Sequence, residues 1–233
     1  MTDPLFQHDA YLRECESHVL ESSSDGIVLD RTVFYPLGGG QPGDEGRLAW
    51  RGSETPIVDT RWRRADGAVI HVPAEGSLLP EVGAQVLAEI DWELRYRHMR
   101  MHTCLHLLGA VLKFPVTGGQ VGAHKSRLDF DMPESADKHA ATAELNALIR
   151  AAHPVESRWI DEADLDPALV RTMSVKPPTG VGRLRLLDIP GVDLQPCGGT
   201  HVRSTDEIGA ATVTRVEKKG RRNRRVHVVL DHD

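Results

Sequence analysis

Two short stretches of the sequence carry side chains suited to binding a metal ion. The first places His102 and His106 four residues apart, and the second, ninety residues further on, places Cys197 and His201 at the same spacing. Three imidazoles and one thiolate form a ligand set that zinc accepts in a roughly tetrahedral shell. The sequence therefore predicts one zinc ion per chain, held by these four residues.

The first pair is predicted to lie on a helix. Residues 92–113 carry apolar or histidine side chains at three- and four-residue steps, which is typical of a helix with one buried face, and Asp91 is a suitable N-cap. Residues four apart lie one helical turn above each other, so His102 and His106 can share an ion. The alternative for this pair alone is two histidines on a helix face, one of them buried and hydrogen-bonded.

The second pair stands in a turn that contains Gly198 and Gly199, which let the chain fold back tightly enough to bring thiolate and imidazole to one centre. The alternative here is a buried free thiol beside a histidine at a strand end. Thr103 follows the first histidine where a zinc protease would need glutamate as its general base, so a peptidase is excluded. Cys104 points to another side of the helix and is predicted to pack in the core.

The elements that position these residues predict an α+β fold in two parts. Residues 1–90 read as a small β-barrel, with Gly, Pro and Asp between strands. Within this domain, the glycine-rich residues 37–46 mark a loop that either turns sharply or approaches another group closely. The predicted barrel strands are residues 17–20, 26–29, 47–50, 68–72 and 85–90.

Residues 91–233 read as the second domain, which would hold the metal. A second helix is predicted to open at Pro133 and to run to about Ala152, before Pro154. A domain of helices packed on a sheet follows from this order of elements. Its predicted strands are residues 156–160, 181–187, 211–217 and 225–230.

The composition favours a globular protein of the cytoplasm. Three scattered cysteines argue against a disulfide framework, and neither a secretory leader nor a run of eighteen apolar residues is present. The net charge of −6 is uneven, because residues 1–90 carry 7 Lys/Arg against 15 Asp/Glu and the other 143 residues carry 21 against 19. Residues 218–225 contain six cations and no anion, which predicts a basic patch.

Several motifs in the same order resemble the editing region of alanyl-tRNA synthetase. These are residues 29–35, the glycine-rich residues 38–44, residues 101–108, residues 125–130, and Cys-Gly-Gly-Thr-His at 197–201 followed by Glu-Ile-Gly at 207–209. No aminoacylation portion fits into the length, so the chain is similar to the free-standing AlaX-type editing proteins. The threonyl-tRNA synthetase editing domain shares the fold, but the residues of the Cys-Gly-Gly-Thr-His motif here resemble those of the alanyl branch.

This resemblance implies a fold, a reaction and a set of site residues. The second domain would be of the threonyl/alanyl-tRNA synthetase second additional domain type, and the chain would deacylate mischarged tRNA(Ala) without ATP, chiefly Ser-tRNA(Ala) and also Gly-tRNA(Ala), for translation fidelity. The metal ligands of the family carry over to His102, His106, Cys197 and His201. A metal-oriented water is expected to attack the aminoacyl ester. Expected at the aminoacyl end are Thr103 and Gln120 as catalytic residues, with Gly39, Gly40, Gln41 and Lys125 as substrate contacts.

The partner implied is tRNA(Ala) carrying a wrong amino acid, with no DNA or membrane, and the chain is expected as a monomer or homodimer. Cations at residues 218–225 would neutralise phosphates, although a solvated hairpin turn is the alternative. Two other functions stay open: a zinc-stabilised RNA-binding module without catalysis, and a metal-dependent hydrolase of small esters. The predicted tRNA contacts are Lys218, Lys219, Arg221, Arg222, Arg224 and Arg225.

Overall fold

The computed structural model describes residues 2–173, 179–180 and 182–231. The fold is α+β, with a closed six-stranded barrel and two α-helices in the described part of the chain, which confirms the predicted class. The chain divides into two compact units, Met1–Tyr96 and Arg97–Asp233.

The first unit is built around the barrel. Its strands pair in the order β2-β3-β7-β6-β5-β8, all antiparallel, and β8 closes the ring on β2, while β1 and β4 form a separate parallel pair. The strands are β1 (Asp3–Pro4), β2 (Glu14–Ser23), β3 (Gly26–Leu29), β4 (Arg31–Thr32), β5 (Gly46–Trp50), β6 (Ser53–Arg63), β7 (Ala68–Pro73) and β8 (Gln85–Ile90).

The barrel encloses an apolar core that explains why these segments become strands. Side chains alternate between inside and outside along a strand, and the buried positions of β5 and β8 are apolar. Strand β6, the longest in the unit, was missed from the sequence. A bulge between Ile57 and Asp59 interrupts its two-residue alternation, which removes the pattern that sequence reasoning uses. The core contains Val19, Ile27, Leu29, Val33, Phe34, Leu48, Ile57, Ala84, Val86, Ala88 and Ile90.

Helix α1 (Trp92–Leu112) has nearly the predicted bounds, and Asp91 caps it by accepting a hydrogen bond from the Leu94 amide at 3.0 Å. The prediction of one buried face is wrong, because every residue from Met101 to Ala110 is buried. A helix covered on all sides lies in the interior of its domain. No helix in the described residues is long and apolar enough to cross a membrane.

The second unit contains two antiparallel sheets and helix α2. The sheets have the orders β14-β15-β10-β9 and β11-β12-β13. Strands β9, β10 and β13 were not predicted, and the predicted first residue of β12, Val181, lies outside the described residues. The strands are β9 (Val116–Gln120), β10 (Lys125–Asp131), β11 (Glu156–Asp161), β12 (Arg183–Ile189), β13 (Asp193–Pro196), β14 (Ala211–Lys218) and β15 (Asn223–Leu230).

Helix α2 (Lys138–Arg150) begins later than the sequence predicted. Asp137 is the N-cap, and its carboxylate accepts hydrogen bonds from the amides of His139 and Ala140 at 2.7 and 3.2 Å. The prediction that Pro133 opens the helix is therefore wrong, because a carboxylate four residues later satisfies the free amides of the first turn.

Candidate metal centre

Helix α1 brings His102 and His106 together in the second unit. Their ring centroids are 5.3 Å apart, as expected for side chains one turn apart. Both residues are buried, with 6% and 9% of their surface exposed. The helix alone therefore fixes half of the cluster.

The other half comes from the turn that follows β13. The Cys197 amide donates to the Arg185 carbonyl at 3.1 Å, and the Arg185 guanidinium donates to the Gly199 carbonyl at 2.6 Å. Neither Gly198 nor Gly199 has a positive φ angle. The expectation that glycine conformations make this turn is therefore not met, and hydrogen bonds from β12 hold it instead.

The four predicted ligands converge. One donor atom from each of His102, His106, Cys197 and His201 lies within 4.8 Å of all the others. The Cys197 Sγ atom is 3.2 Å from His201 Nε2 and 3.7 Å from His102 Nε2. Three imidazoles and a sulfur at these separations fit the donor set of a zinc ion.

The electrostatics of the cluster suit a cation. Burial would raise the pKa of the Cys197 thiol, but His102 and His201 outweigh it and hold this pKa well below its ordinary value. Burial, with the neighbouring His102, lowers the pKa of His201 to about 3, which keeps its imidazole neutral. Metals bind the thiolate and the neutral imidazole, so these two side chains are in the forms that bind a metal.

Thr103 contacts a ligand of the cluster and not an open space. Its hydroxyl donates to the Met99 carbonyl at 2.9 Å, lies 3.1 Å from His201 Nδ1 and accepts from the Val202 amide at 3.3 Å. Its surface is fully buried. A hydroxyl has one proton and two lone pairs, and all three are used here. The Thr103 hydroxyl is therefore a partner of His201, and its predicted contact with a substrate stays a prediction.

A carboxylate that sequence reasoning missed lies beside His106. Asp193 Oδ2 is 3.0 Å from His106 Nδ1 and accepts from Gln195 Nε2 at 2.6 Å. Burial would lower the pKa of His106, but Asp193 and Cys197 raise it to about 9. Asp193 and Gln195 alternate along β13, and Cys197 continues the alternation. This alternation is the one sequence signal that could have identified Asp193.

Cys104, in contrast, belongs to the core as predicted. It has no exposed surface, and burial raises the pKa of its thiol to about 12. The difference from Cys197 comes from the neighbours, because His102 and His201 favour the Cys197 thiolate, whereas burial is what shifts the pKa of Cys104.

The predicted substrate contacts Gly39, Gly40 and Gln41 lie in the first unit, in a tight turn. Gly38 and Gln41 exchange backbone hydrogen bonds at 3.1 and 2.9 Å, and the φ angles of Gly39 and Gly40 are +58° and +85°. Two successive positive φ angles define a type I′ turn, which glycine adopts without strain. Gln41 has no exposed surface.

The rest of the glycine-rich segment anchors the start of α1. Any side chain at Gly43 would collide with the Thr60 backbone, so the close approach that was predicted occurs at this residue. Asp44 accepts from Arg95 Nε at 2.9 Å and from the Tyr35 amide. Arg95 and Asp44 are both buried, and this ion pair ties the loop to the helix.

Gln120 and Lys125 flank the turn between β9 and β10, and both are exposed. Gln120 pairs with Arg127 across the two strands, and its side-chain oxygen is 3.4 Å from Arg127 Nε. The structure thus places these two predicted residues near each other, at one end of a hairpin.

The predicted basic segment is the hairpin between β14 and β15. Arg224 is 8% exposed, and its guanidinium donates to the carbonyls of Gly220 and Pro133. Arg225 donates twice to Asp129, at 2.7 and 2.8 Å. Arg224 is thus buried and joins the hairpin to the segment of Pro133, and its predicted contact with tRNA stays a prediction.

The remaining cations of the hairpin differ in their partners. Lys219 lies 2.9 Å from Glu217, and Arg222 lies 2.8 Å from Asp131. Partial neutralisation of this kind reduces the field that reaches solvent. Within the described residues, two exposed cations of the hairpin form no ion pair: Lys218 and Arg221.

Two family models match the chain. Residues 8–94 match the model described as tRNA synthetases class II (A), and residues 184–227 match that described as threonyl and alanyl tRNA synthetase second additional domain. The second match includes Cys197, His201 and the basic hairpin.

Relatives match over nearly the whole length. The chain is 36% identical over 245 residues to alanyl-tRNA editing protein AlaX-M of Methanosarcina acetivorans, and 34% identical over 237 residues to AlaX-M of Saccharolobus solfataricus, with 99% of each chain covered in both cases. It is also 39% identical over 236 residues to an alanine–tRNA ligase of Pyrobaculum neutrophilum, covering 93% of this chain and 25% of the ligase.

Proposed function

The chain belongs to the AlaX-type alanyl-tRNA editing proteins, and we propose that this aminoacyl-tRNA deacylase removes serine, and secondarily glycine, from mischarged tRNA(Ala) at a zinc centre. The observation that carries the proposal is the convergence of His102, His106, Cys197 and His201 within 4.8 Å. The reaction is the hydrolysis of the ester between amino acid and tRNA, and we place it in the cytoplasm.

The substrate proposal rests on the limits of discrimination by size. A pocket for alanine discriminates against an amino acid that lacks one methylene by only about 1 to 3 kcal/mol, and it rejects an added hydroxyl poorly. Serine and glycine are therefore the expected errors. A second site can bind the serine hydroxyl, which alanine lacks, and so spare the correct product.

Residues of the chain orient the metal ligands and set their protonation. His102, His106, Cys197 and His201 would hold the zinc, which would supply a Lewis acid and a positive charge for hydrolysis of the aminoacyl ester. Thr103 acts as a positioning residue: its hydroxyl donates to the Met99 carbonyl and so accepts the Nδ1 proton of His201. His201 then presents an unprotonated Nε2, 3.2 Å from Cys197 Sγ. The Cys197 thiolate supplies negative charge that complements the ion.

We also propose contacts with the tRNA outside the metal centre. Gln120 and Lys125, exposed at the β9–β10 turn, are assigned to the terminal nucleotides of the tRNA. Lys218 and Arg221 are assigned to phosphates, with Lys219, Arg222 and Arg225 as weaker contributors because each already pairs with a carboxylate. Gly39, Gly40 and Gln41 remain assigned to the substrate through the backbone of their turn.

The direct test is deacylation of Ser-, Gly- and Ala-tRNA(Ala) side by side, with Ser-tRNA(Ser) and Ser-tRNA(Thr) as specificity controls. Serine should be released fastest from tRNA(Ala), glycine more slowly, and alanine not at all. Equal release of serine from all three tRNAs would contradict recognition of tRNA(Ala). Release of alanine at the rate of serine would contradict the second sieve.

One observation favours a rival function, a zinc-stabilised RNA-binding module without catalysis. Four protein ligands complete a tetrahedron, which is the usual arrangement of a structural zinc site. Removal of zinc by a chelator separates the two functions. Loss of hydrolysis with an unchanged circular dichroism spectrum supports the enzyme, and collapse of the fold supports the module.

A further inference from the structure

Asp193 is a buried carboxylate whose hydrogen bonds are directed at the metal centre. Its side chain has no exposed surface. Oδ2 receives the Gln195 amide at 2.6 Å and lies 3.0 Å from His106 Nδ1. Oδ1 lies 3.0 Å from Arg171 Nη1, an ion-pair distance that lacks the angle of a hydrogen bond. Both oxygens are thus held by groups that carry protons.

The contact with His106 fixes which of its ring nitrogens carries a proton. An ionised carboxylate only accepts hydrogen bonds, so a nitrogen 3.0 Å from it must carry hydrogen. His106 is therefore protonated at Nδ1, which leaves the lone pair of Nε2 as its only donor to a metal. Gln195 Nε2 also lies 3.0 Å from Nδ1, but it donates to Asp193, because a protonated Nδ1 cannot accept.

We propose that Asp193, held by Gln195 and Arg171, is a positioning residue that sets the tautomer and orientation of His106 and thereby the affinity of the centre for zinc. The inference rests on the proposed metal function and adds residues outside the four ligands. Partners of this kind orient ligand histidines and raise their basicity, and their loss typically weakens metal binding about 10- to 100-fold.

Strand register supplies a matched control. Asp188 on β12 pairs with Leu194 of β13, so it lies next to the same strand as Asp193. Its carboxylate pairs with Arg158 at 3.2 Å and has no contact with the four histidine and cysteine ligands among the described interactions. Asp188→Asn therefore removes the same charge from the same sheet without disturbing His106.

The test measures zinc affinity of the zinc-free full chain by competition with a chromophoric chelator, with no tRNA present. Asp193→Ala should bind zinc about 10- to 100-fold more weakly than the wild type. Asp193→Asn keeps one acceptor oxygen and should lose less, and Asp188→Asn should match the wild type. The ¹⁵N shifts of the His106 ring in the zinc-free protein, recorded above its pKa of about 9 so that the ring is neutral, should report a proton on Nδ1 in the wild type and a mixture of tautomers in Asp193→Ala.

The results distinguish a failure of the positioning role of Asp193 from a failure of the proposed zinc centre. Wild-type affinity and an unchanged tautomer in Asp193→Ala would overturn the positioning role while leaving the deacylase intact. Failure of the wild type itself to bind zinc would overturn the metal centre as well. If Asp193→Ala does not fold, the isosteric Asp193→Asn decides, because equal zinc affinity in that variant and in Asp188→Asn would overturn the role.

Discussion

His71 in the barrel and His106 in the metal centre are both buried, yet their pKa values move in opposite directions. Burial lowers the pKa of His71 to about 4. Its ring contacts neutral groups in the described part of the chain: the Ile27 carbonyl at 3.0 Å, the Thr32 hydroxyl at 2.8 Å and the ring of Phe34. For His106, whose pKa rises to about 9, the charges of Asp193 and Cys197 outweigh burial.

The difference shows that partners, and not burial, decide what a buried histidine does. Neutral partners supply no negative charge that would stabilise a proton or a cation, so we assign His71 a structural role in the barrel. His201 is an instructive third case, because it sits in the metal cluster but has a threonine hydroxyl as its partner, as His71 does. The centre thus combines one histidine with an anionic partner and one with a neutral partner.

The largest predicted effect comes from removing the Cys197 thiolate, which helps to raise the pKa of His106. Cys197→Ala leaves three imidazoles without a thiolate. Because a four-ligand structural zinc site is worth about 10 to 16 kcal/mol, loss of one ligand should weaken zinc binding by two to three orders of magnitude. Release of serine from Ser-tRNA(Ala) should fall at least about a hundredfold. Zinc competition and single-turnover deacylation measure the two effects.

Cys104→Ala is the matched control, since it removes a buried thiol from the same helix as His102 and His106. It should lower stability by about 1 kcal/mol and leave zinc affinity unchanged. Equal loss of zinc binding in both cysteine variants would contradict the assignment of Cys197.

The second prediction concerns pH and the barrel. The pKa of His71 is about 4 in the folded chain against 6.5 as its ordinary value, so between these pH values the unfolded chain binds the extra proton. The free energy of opening the barrel should therefore fall as the pH drops from 6.5 to 4, by up to about 3 kcal/mol, and level off below 4. Hydrogen exchange of the Val28 and Ile70 amides, which lie in paired barrel strands, measures it.

His71→Gln removes the titration and keeps an amide able to donate and accept. The pH dependence of this variant should be flatter than that of the wild type by the same amount. Identical pH profiles for the two proteins would show that the imidazole does not carry the effect.

Predictions from the sequence were correct where the structure depends on residues close together in the chain. The four-residue spacing of His102 and His106 and the cap at Asp91 follow from helix geometry, and α1 was placed correctly. The glycine-rich loop was understood only in part, because composition could not tell which glycine serves the turn and which the close approach. The structure assigns the first to Gly39 and Gly40, and the second to Gly43.

Sequence reasoning failed where long-range contacts decide. Asp193 is one of 34 Asp and Glu residues, and its role depends on contacts with residues far away in sequence. Arg224 looked like one of six exposed cations, but its guanidinium is buried against the carbonyl of Pro133, which lies on a distant segment. No periodicity or charge count contains such information.

A third prediction sharpens the contrast between His201 and His106. Thr103→Val removes the hydroxyl and leaves the buried Nδ1 proton of His201 and the Val202 amide without their acceptor. The stability of the zinc-free chain should fall by about 1 to 3 kcal/mol, and zinc affinity by about tenfold. Thr103→Ser keeps the hydroxyl and should restore most of both. Failure of Ser to restore zinc affinity would contradict the positioning role.

The smallest predicted effect concerns exposed cations of the β14–β15 hairpin. The double variant Lys218→Ala with Arg221→Ala removes two unpaired surface cations, and should weaken tRNA binding a few-fold while lowering the slope of log affinity against log salt by about 1.5. Arg51→Ala with Arg64→Ala removes two exposed cations of the first unit, which also form no ion pair among the described residues, and serves as a charge-matched control. Filter binding over a salt series compares the two, and an equal change of slope would contradict a specific role for the hairpin.

We propose that four side chains from two distant stretches of sequence hold one zinc ion. X-ray absorption at the zinc edge of the full chain, loaded with one equivalent of zinc, tests it most directly. We expect one sulfur at about 2.3 Å and three nitrogens at about 2.0 to 2.1 Å from the zinc, with the sulfur lost in Cys197→Ala. A wild-type spectrum without a sulfur neighbour, or one that Cys197→Ala leaves unchanged, would contradict it.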